Sequence, residues 1–334
     1  MHRPFAGPAV ALSAVAPILL LALPSLATAQ AATPPAQPAP AVAPVTTSLK
    51  ITTERARDGR VLKGDRWRVL VTSGKFVEGS SVNVTLTVDG KDRPVKTLPL
   101  KPSSKGGKGT ARTVYTNSRA KRIVVRAEIP AGQPIAPVRA KTKVVVQATP
   151  SVKAGARGYA VERLQRMLDA KGYVIGKKGV YDARTQRAVL AFRKVTRRSW
   201  STTANRSIFR ALKRGEGRFR VRYKSHGRHV EADIRRQVLA LIGSGGKVER
   251  IYHTSPGTAA TPTILGSFRV YMKDPGTNSL GMYKSAYFIR GYAIHGYPSV
   301  PLYNASHGCL RVPMADAATI YDWVRYGTRV DTYR

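Results

Sequence analysis

The chain has 334 residues, 43% of them hydrophobic, with 57 Lys and Arg against 18 Asp and Glu and a net charge of +39. That length implies two or three domains rather than one, and one cysteine excludes an internal disulfide. The charge favours polyanionic partners and says little about the fold.

Met1-His2-Arg3 opens the chain with positive charge, Ala9 to Leu23 is an apolar run, and Ala27-Thr28-Ala29 is a small-x-small pattern before Gln30. Residues 1–29 therefore read as a secretory signal peptide. The apolar run is shorter than the roughly 20 residues a membrane span needs. An uncleaved N-terminal anchor is the alternative, and at most peripheral membrane contact is expected beyond it. An exported protein rarely meets nucleic acid, so the expected partners of the charge are anionic wall polymers and acidic lipids, not nucleic acid. Residues 30–47 are an Ala/Pro-rich linker, with Pro34-Pro35-Ala36-Gln37-Pro38-Ala39-Pro40 favouring extended, polyproline-like backbone.

Residues 48–149 carry β periodicity. Trp67, Val69 and Val71 alternate with polar or opposite-face positions, as do Val82, Val84, Leu86 and Val88, and Asp89-Gly90 supplies a turn. Ile123-Val124-Val125 and Val144-Val145-Val146 are further β-branched runs. Several short strands over about 100 residues predict an immunoglobulin-like β-sandwich, here without a cysteine pair. From Val152 the period becomes helical. Val161, Leu164 and Leu168 share a face, as do Thr185, Ala188, Val189 and Phe192, and Ile208 with Leu212 mark a third helix. Asp182 stands where it caps the second. Residues 152–213 are thus expected to form a small three-helix bundle.

Gly215-Glu216-Gly217 is a short linker, and residues 218–334 are mainly β. Strands are predicted at Phe219–Tyr223, Val238–Ile242, Val248–Tyr252, Phe268–Met272, Ala286–Arg290 and Tyr292–Ile294, with Gly243 to Gly246 as a hairpin turn. Pro313 starts a helix whose apolar face is Ala317, Ile320, Tyr321 and Val324.

The chemistry concentrates in Ser306-His307-Gly308-Cys309-Leu310-Arg311, with His295 upstream. A thiolate nucleophile needs a base or a positive field, and histidine supplies a base near neutral pH. An unpaired thiol is a liability in an oxidising compartment, so its retention points to a use. Spacing alone permits either His295 or His307 as the base: were the segment extended, His307 and Cys309 would share a face. The backbone N–H groups of Gly308 and Cys309 are natural oxyanion donors, and Gly308 admits close approach of a substrate. Arg311 is suited to a bidentate contact with a carboxylate. Ser306, Tyr283 and Met282 are further candidates for substrate contact. His226, His229 and His253 read as non-catalytic. No Cys-x-x-Cys spacing is present, so no metal site is expected, and no cofactor is called for.

His295 followed by Ser306-His307-Gly308-Cys309 resembles the signature of the L,D-transpeptidase (YkuD) catalytic domain. Asp233 to Leu239 resembles that family's opening strand pair, Thr261 to Phe268 its Thr-Pro-x-Gly-x-Phe stretch, and Gly327-Thr328-Arg329-Val330 its close. Ten residues separate His295 from Ser306, fewer than is usual, and Arg311 stands where asparagine is often found. Val161 to Leu168, Gly172-Tyr173 and Thr185 to Phe192 resemble a peptidoglycan-binding three-helix module, with Lys178, Asp182 and Arg193 departing from its pattern.

The first resemblance implies a mainly-β catalytic domain over residues 218–334. Cys309 is its nucleophile and His295 its base, oriented by the Gly296 carbonyl, with His307 beside the sulfur. The implied substrate is a peptidoglycan tetrapeptide stem. Cys309 forms a thioester, D-alanine leaves, and the amine of a second stem resolves the intermediate. Water as acceptor would make the protein an L,D-carboxypeptidase, and a silent site would make it a wall-binding structural protein. A carbapenem is expected to trap the thiol.

Overall fold

The computed structural model describes residues 42–104, 106–117 and 119–334. The expected signal peptide and residues 30–41 of the linker lie outside them. Among the described residues eleven strands precede the helices: β1 (Leu49–Glu54), β2 (Arg60–Leu62), β3 (Arg66–Ser73), β4 (Ser81–Val88), β5 (Lys91–Asp92), β6 (Lys96–Pro99), β7 (Lys101–Pro102), β8 (Gly109–Thr116), β9 (Arg122–Ile129), β10 (Val138–Arg139) and β11 (Lys143–Ala148). They form two sheets. One runs β1-β3-β8-β7. The other runs β2-β11-β9-β4-β5, with β10 on β9 and β6 on β4. Period-two alternation sends Trp67, Val69 and Val71 of β3, and Val82, Val84, Leu86 and Val88 of β4, into one core shared by both sheets. Trp67 packs on Tyr115 with ring centroids 5.4 Å apart. The short strands β2, β5, β6, β7 and β10 leave no periodicity to read in the sequence.

Three helices follow: α1 (Tyr159–Asp169), α2 (Ala183–Val195) and α3 (Arg206–Lys213). The Asp182 carboxylate caps α2, accepting from Thr185 N at 2.8 Å. Asn205 caps α3 by accepting from Ser207 and Ile208 N. Gln165, buried in α1, donates to the Lys177 and Val180 carbonyls and accepts from Gly179 N, which fixes the α1–α2 loop.

The last region contains β12 (His229–Asp233), β13 (Val238–Ile242), β14 (Val248–His253), β15 (Gly266–Arg269), β16 (Met272–Thr277), β17 (Tyr283–Ile289), β18 (Tyr292–Tyr297), β19 (Leu310–Pro313), α4 (Met314–Trp323) and β20 (Arg329–Tyr333). One sheet runs β14-β13-β12-β20-β15 and the other β16-β17-β18-β19. The β12–β20 and β18–β19 pairs are parallel. Both sheets and α4 enclose a core that includes Val230, Phe288, Ile294, Leu310 and Ile320.

Three expectations change. The helices do not close on themselves as a separate bundle. Their core is continuous with Val238, Ala240 and Ile242 of β13 and Ile251 of β14, while Leu239 and Leu241 face the other core. Strand β13 is buried on both faces and the helices cover one of them, which is why it reads as an unbroken apolar run. Next, Phe219–Tyr223 joins no sheet among the described residues. Its Arg222 and Tyr223 N–H groups donate to the buried Glu231 carboxylate instead of to a strand. Finally, Phe268–Met272 is not one strand: the chain passes from one sheet to the other between β15 and β16. Among the described residues no helix is long and apolar enough to cross a membrane.

Candidate active site

The site is built on the parallel pair β18–β19, whose register sets Ile294 beside Leu310, His295 beside Arg311 and Gly296 beside Val312. Ile294, Leu310 and Val312 point into the core. Alternation therefore sends His295 and Arg311 to the opposite face. Cys309 precedes Leu310 and lies at the same edge. Its Sγ accepts from Ala293 N at 3.4 Å and donates to Gly291 O at 3.6 Å, and the residue is half-buried.

His295 is 2% exposed. Its Nδ1 lies 3.0 Å from the carbonyl oxygen of Gly296. A carbonyl only accepts, so Nδ1 carries the proton and Nε2 presents its lone pair. Burial, reinforced by the Arg311 charge and opposed by the Gly296 bond, pushes His295 down to about 4. Burial pushes the Cys309 thiol up, against the Ala293 N–H and the Arg311 charge. Both shifts favour the neutral forms, a thiol and an imidazole, where the sequence pointed to a thiolate. Arg311 lies over the Tyr297 ring, its Cζ 4.1 Å from the centroid.

The nucleophile sits at the end of a tight turn. Gly308 has φ +115°, and a Cβ there would lie 1.7 Å from the Tyr292 ring. Only glycine fits. Ser306 is buried, and its Oγ accepts from Gly308 N at 3.1 Å and donates to Cys309 O at 2.6 Å. The hydroxyl shapes the turn and is not free for a substrate, contrary to expectation. The same bond commits the Gly308 N–H, one of the two expected oxyanion donors. His307 is exposed on a bend rather than in an extended strand, so the shared face that made it an alternative base is absent. Tyr283 pairs with Gly296 and packs toward the α4 core, on the side away from the thiol. Met282 is 6% exposed, with its N–H on Asn278 Oδ1.

Residues that sequence reading did not single out hold this turn. Thr263 Oγ1 donates to Gly308 O at 2.8 Å and accepts from Gly257 N at 3.0 Å. Thr258 N and Thr261 Oγ1 both donate to Ser306 O. Ser255 exchanges two backbone bonds with Arg311. Thr261 and Thr263 were visible as part of a family-like stretch, but their task was not. Among the described residues the other histidines are engaged elsewhere: His226 with Asp331, His229 with Glu231 and the Gly227 carbonyl, His253 with Lys194 and the Pro301 carbonyl. Among the described residues, no group of three His, Cys, Asp or Glu side chains is placed to hold a metal ion.

The L,D-transpeptidase catalytic domain of the YkuD family matches residues 227–331. The crystal structure of an L,D-transpeptidase from Xylanimonas cellulosilytica (its residues 123–326) is 35% identical over 55% of this chain and 97% of that one, with a TM-score of 0.51. The chain belongs to the L,D-transpeptidase family. An L,D-transpeptidase from Stackebrandtia nassauensis is 18% identical over 55% of this chain and 95% of that one, with a TM-score of 0.35. A C442S mutant of the Enterococcus faecium L,D-transpeptidase is 24% identical over 32% and 50%, with a TM-score of 0.29. No curated protein sequence matches the chain. His295, Ser306 and Cys309 fall inside the residues that match the family, whereas the N-terminal sheets and α1–α3 lie before them.

Proposed function

We propose that this L,D-transpeptidase is exported and cross-links peptidoglycan stem peptides through a thioester on Cys309. The observation that carries the reading is a half-buried Cys309 at the edge of β19, with His295 of the adjoining β18 directed to the face opposite the core and its Nδ1 held by the Gly296 carbonyl, which leaves Nε2 as a lone pair.

With both partners neutral, proton transfer accompanies attack. Cys309 Sγ bonds to the carbonyl carbon at the L centre of the stem's third residue as His295 Nε2 takes the thiol proton. The Gly296 carbonyl holds Nδ1–H and steadies the imidazolium, a task that needs no carboxylate. The oxyanion forms beside the Cys309 N–H, the backbone donor left once Gly308 N–H is committed to Ser306. Such a donor contributes about 3 kcal/mol in comparable sites. The imidazolium returns its proton to the nitrogen of the departing D-alanine. The side-chain amine of a second stem then attacks the thioester, gives its proton to His295, and the thiol re-forms as the proton returns to sulfur. Arg311, over the Tyr297 ring and close enough for its charge to act on Cys309, is the candidate partner for a substrate carboxylate.

The modules before the catalytic domain would place it. Residues 152–213 are read as the peptidoglycan-binding module and residues 48–149 as an immunoglobulin-like spacer. Anionic wall polymers are the proposed partners of the +39 charge. A cavity of about 810 Å³ is one place to hold them, lined by Arg218, Arg220, Arg222, Lys224, Arg236 and Arg334 with Asp233 as its carboxylate. Carbapenems are the proposed inhibitors.

Incubation with a disaccharide tetrapeptide, followed by mass spectrometry, tests the reading. The expected products are a cross-linked dimer and free D-alanine. Release of D-alanine with tripeptide alone would convert the assignment to a carboxypeptidase, and unchanged tetrapeptide would overturn it.

A further inference from the structure

Lys194, near the end of α2, is 1% exposed. Burying an ammonium is costly unless its charge and its three N–H groups are met. Among the described residues no carboxylate pairs with it. Its Nζ donates instead to Gln237 Oε1, to Leu302 O at 3.0 Å and to His253 Nδ1 at 3.2 Å. The Trp200 ring covers it, with the centroid 4.3 Å from Nζ. His253 donates Nε2–H to Pro301 O at 2.9 Å, so its Nδ1 is a lone pair suited to the ammonium. Three donors meet three acceptors. Burial pushes Lys194 down to about 7, and the neutral amine, with two donors, leaves one acceptor unmet.

Those acceptors come from three places: the β12–β13 turn, the end of β14, and the loop between β18 and the nucleophile turn. The bonding continues inward. Gln237 Nε2 donates to Asn304 Oδ1, and Asn304 Nδ2 donates to Gly257 O at 3.0 Å. Gly257 lies against Gly308 so closely that a Cβ on it would be 2.9 Å from Gly308 Cα. Its N–H is held by the same Thr263 hydroxyl that grips Gly308 O. The path therefore runs from a helix outside residues 227–331, through the loop that follows His295, to the residue before Cys309.

We propose that Lys194 is a positioning residue of the active site, a buried amine supplied by α2 whose hydrogen bonds fix residues 298–305 and, through Asn304 and Gly257, the turn that carries Cys309. The helical region then completes the catalytic one, whatever it binds. This rests on Cys309 being the nucleophile.

The test is carbapenem acylation of the full chain, resolved into a maximal rate and a half-saturating concentration, together with amide hydrogen exchange over residues 298–305. Lys194→Met keeps the volume and removes the donors. Misplacement of a nucleophile by about an ångström is worth up to 100-fold. The expected result is a maximal rate roughly 10- to 100-fold slower, a half-saturating concentration within about twofold of wild type, and faster exchange across 298–305. Asn304→Ala breaks the other end of the path without emptying a core position. It should slow the reaction in the same way, and the double variant should be no slower than the slower single one. A folded Lys194→Met protein with wild-type rate and exchange would overturn the proposal. If Lys194→Met does not fold, Asn304→Ala decides: a wild-type rate and wild-type loop exchange would overturn it. Failure of the wild-type chain to acylate would count against the Cys309 assignment, while the exchange measurement would still judge the path from Lys194.

Discussion

His295 is the residue on which the chemistry turns. Its folded value of about 4 lies below the ordinary histidine value near 6.5. Between those two pH values the unfolded chain binds a proton that the folded chain refuses. Stability from this group is therefore present above about pH 6.5 and is lost as pH falls toward 4. The same depression keeps the base neutral in mildly acidic medium. The acid limb of kcat/KM should lie near pH 4 to 5, as a pH profile of carbapenem acylation will show, and a limb near 6.5 would contradict the buried, Arg311-facing environment. His295→Ala should slow acylation by roughly 100-fold or more. His307→Ala, at an exposed position, should cost far less. Steady-state rates of the two folded variants decide the base, and the reverse order would move the assignment to His307. Gly308→Ala should abolish a competent site, because a methyl there collides with Tyr292 at a positive φ. Acylation lost while the two-sheet N-terminal region keeps its melting transition is the expected pattern.

At the scale of elements, the turn before β19 shows what a sequence discloses and what it withholds. Cys309 stands out as the one cysteine, while the His295 and Gly296 roles come from the family resemblance, since spacing alone leaves His307 open; the bond between His295 Nδ1 and the Gly296 carbonyl is present in the fold. The roles of Ser306 and Gly308 N–H were not legible. Whether a hydroxyl meets a substrate or a backbone amide two residues away depends on a bend that periodicity does not encode. Phe219–Tyr223 failed for a related reason. It alternates like a strand, but its neighbours offer the Glu231 carboxylate where a ladder partner was expected. Strand β13 carried more information than was drawn from it. Five consecutive apolar residues imply cover on both faces, and that cover is α1–α3.

That cover joins regions which the sequence divides. Val238, Ala240, Ile242 and Ile251 are fully or almost fully buried in the core they share with the helices. Exposing them would forfeit about 1.5–3 kcal/mol for each large side chain, a sizeable share of a typical domain's 5–15 kcal/mol. A fragment of residues 218–334 should thus be insoluble or lack a cooperative melting transition, whereas a fragment of residues 150–334 should fold. A soluble 218–334 fragment melting like the full chain would show that the helices are dispensable to the catalytic sheet. The charge acts over the whole surface. Binding to an anionic wall polymer should weaken steeply between low and physiological salt, since surface attraction is screened within about 10 Å at 0.1 M ionic strength.

The most direct measurement of the central claim, that Cys309 is the acylated nucleophile, is the intact mass of the reduced full chain after exposure to meropenem. One adduct per chain is expected, mapped by peptide digestion to Cys309 and absent from Cys309→Ala. An unmodified wild-type chain, or an adduct that persists in Cys309→Ala, would contradict it.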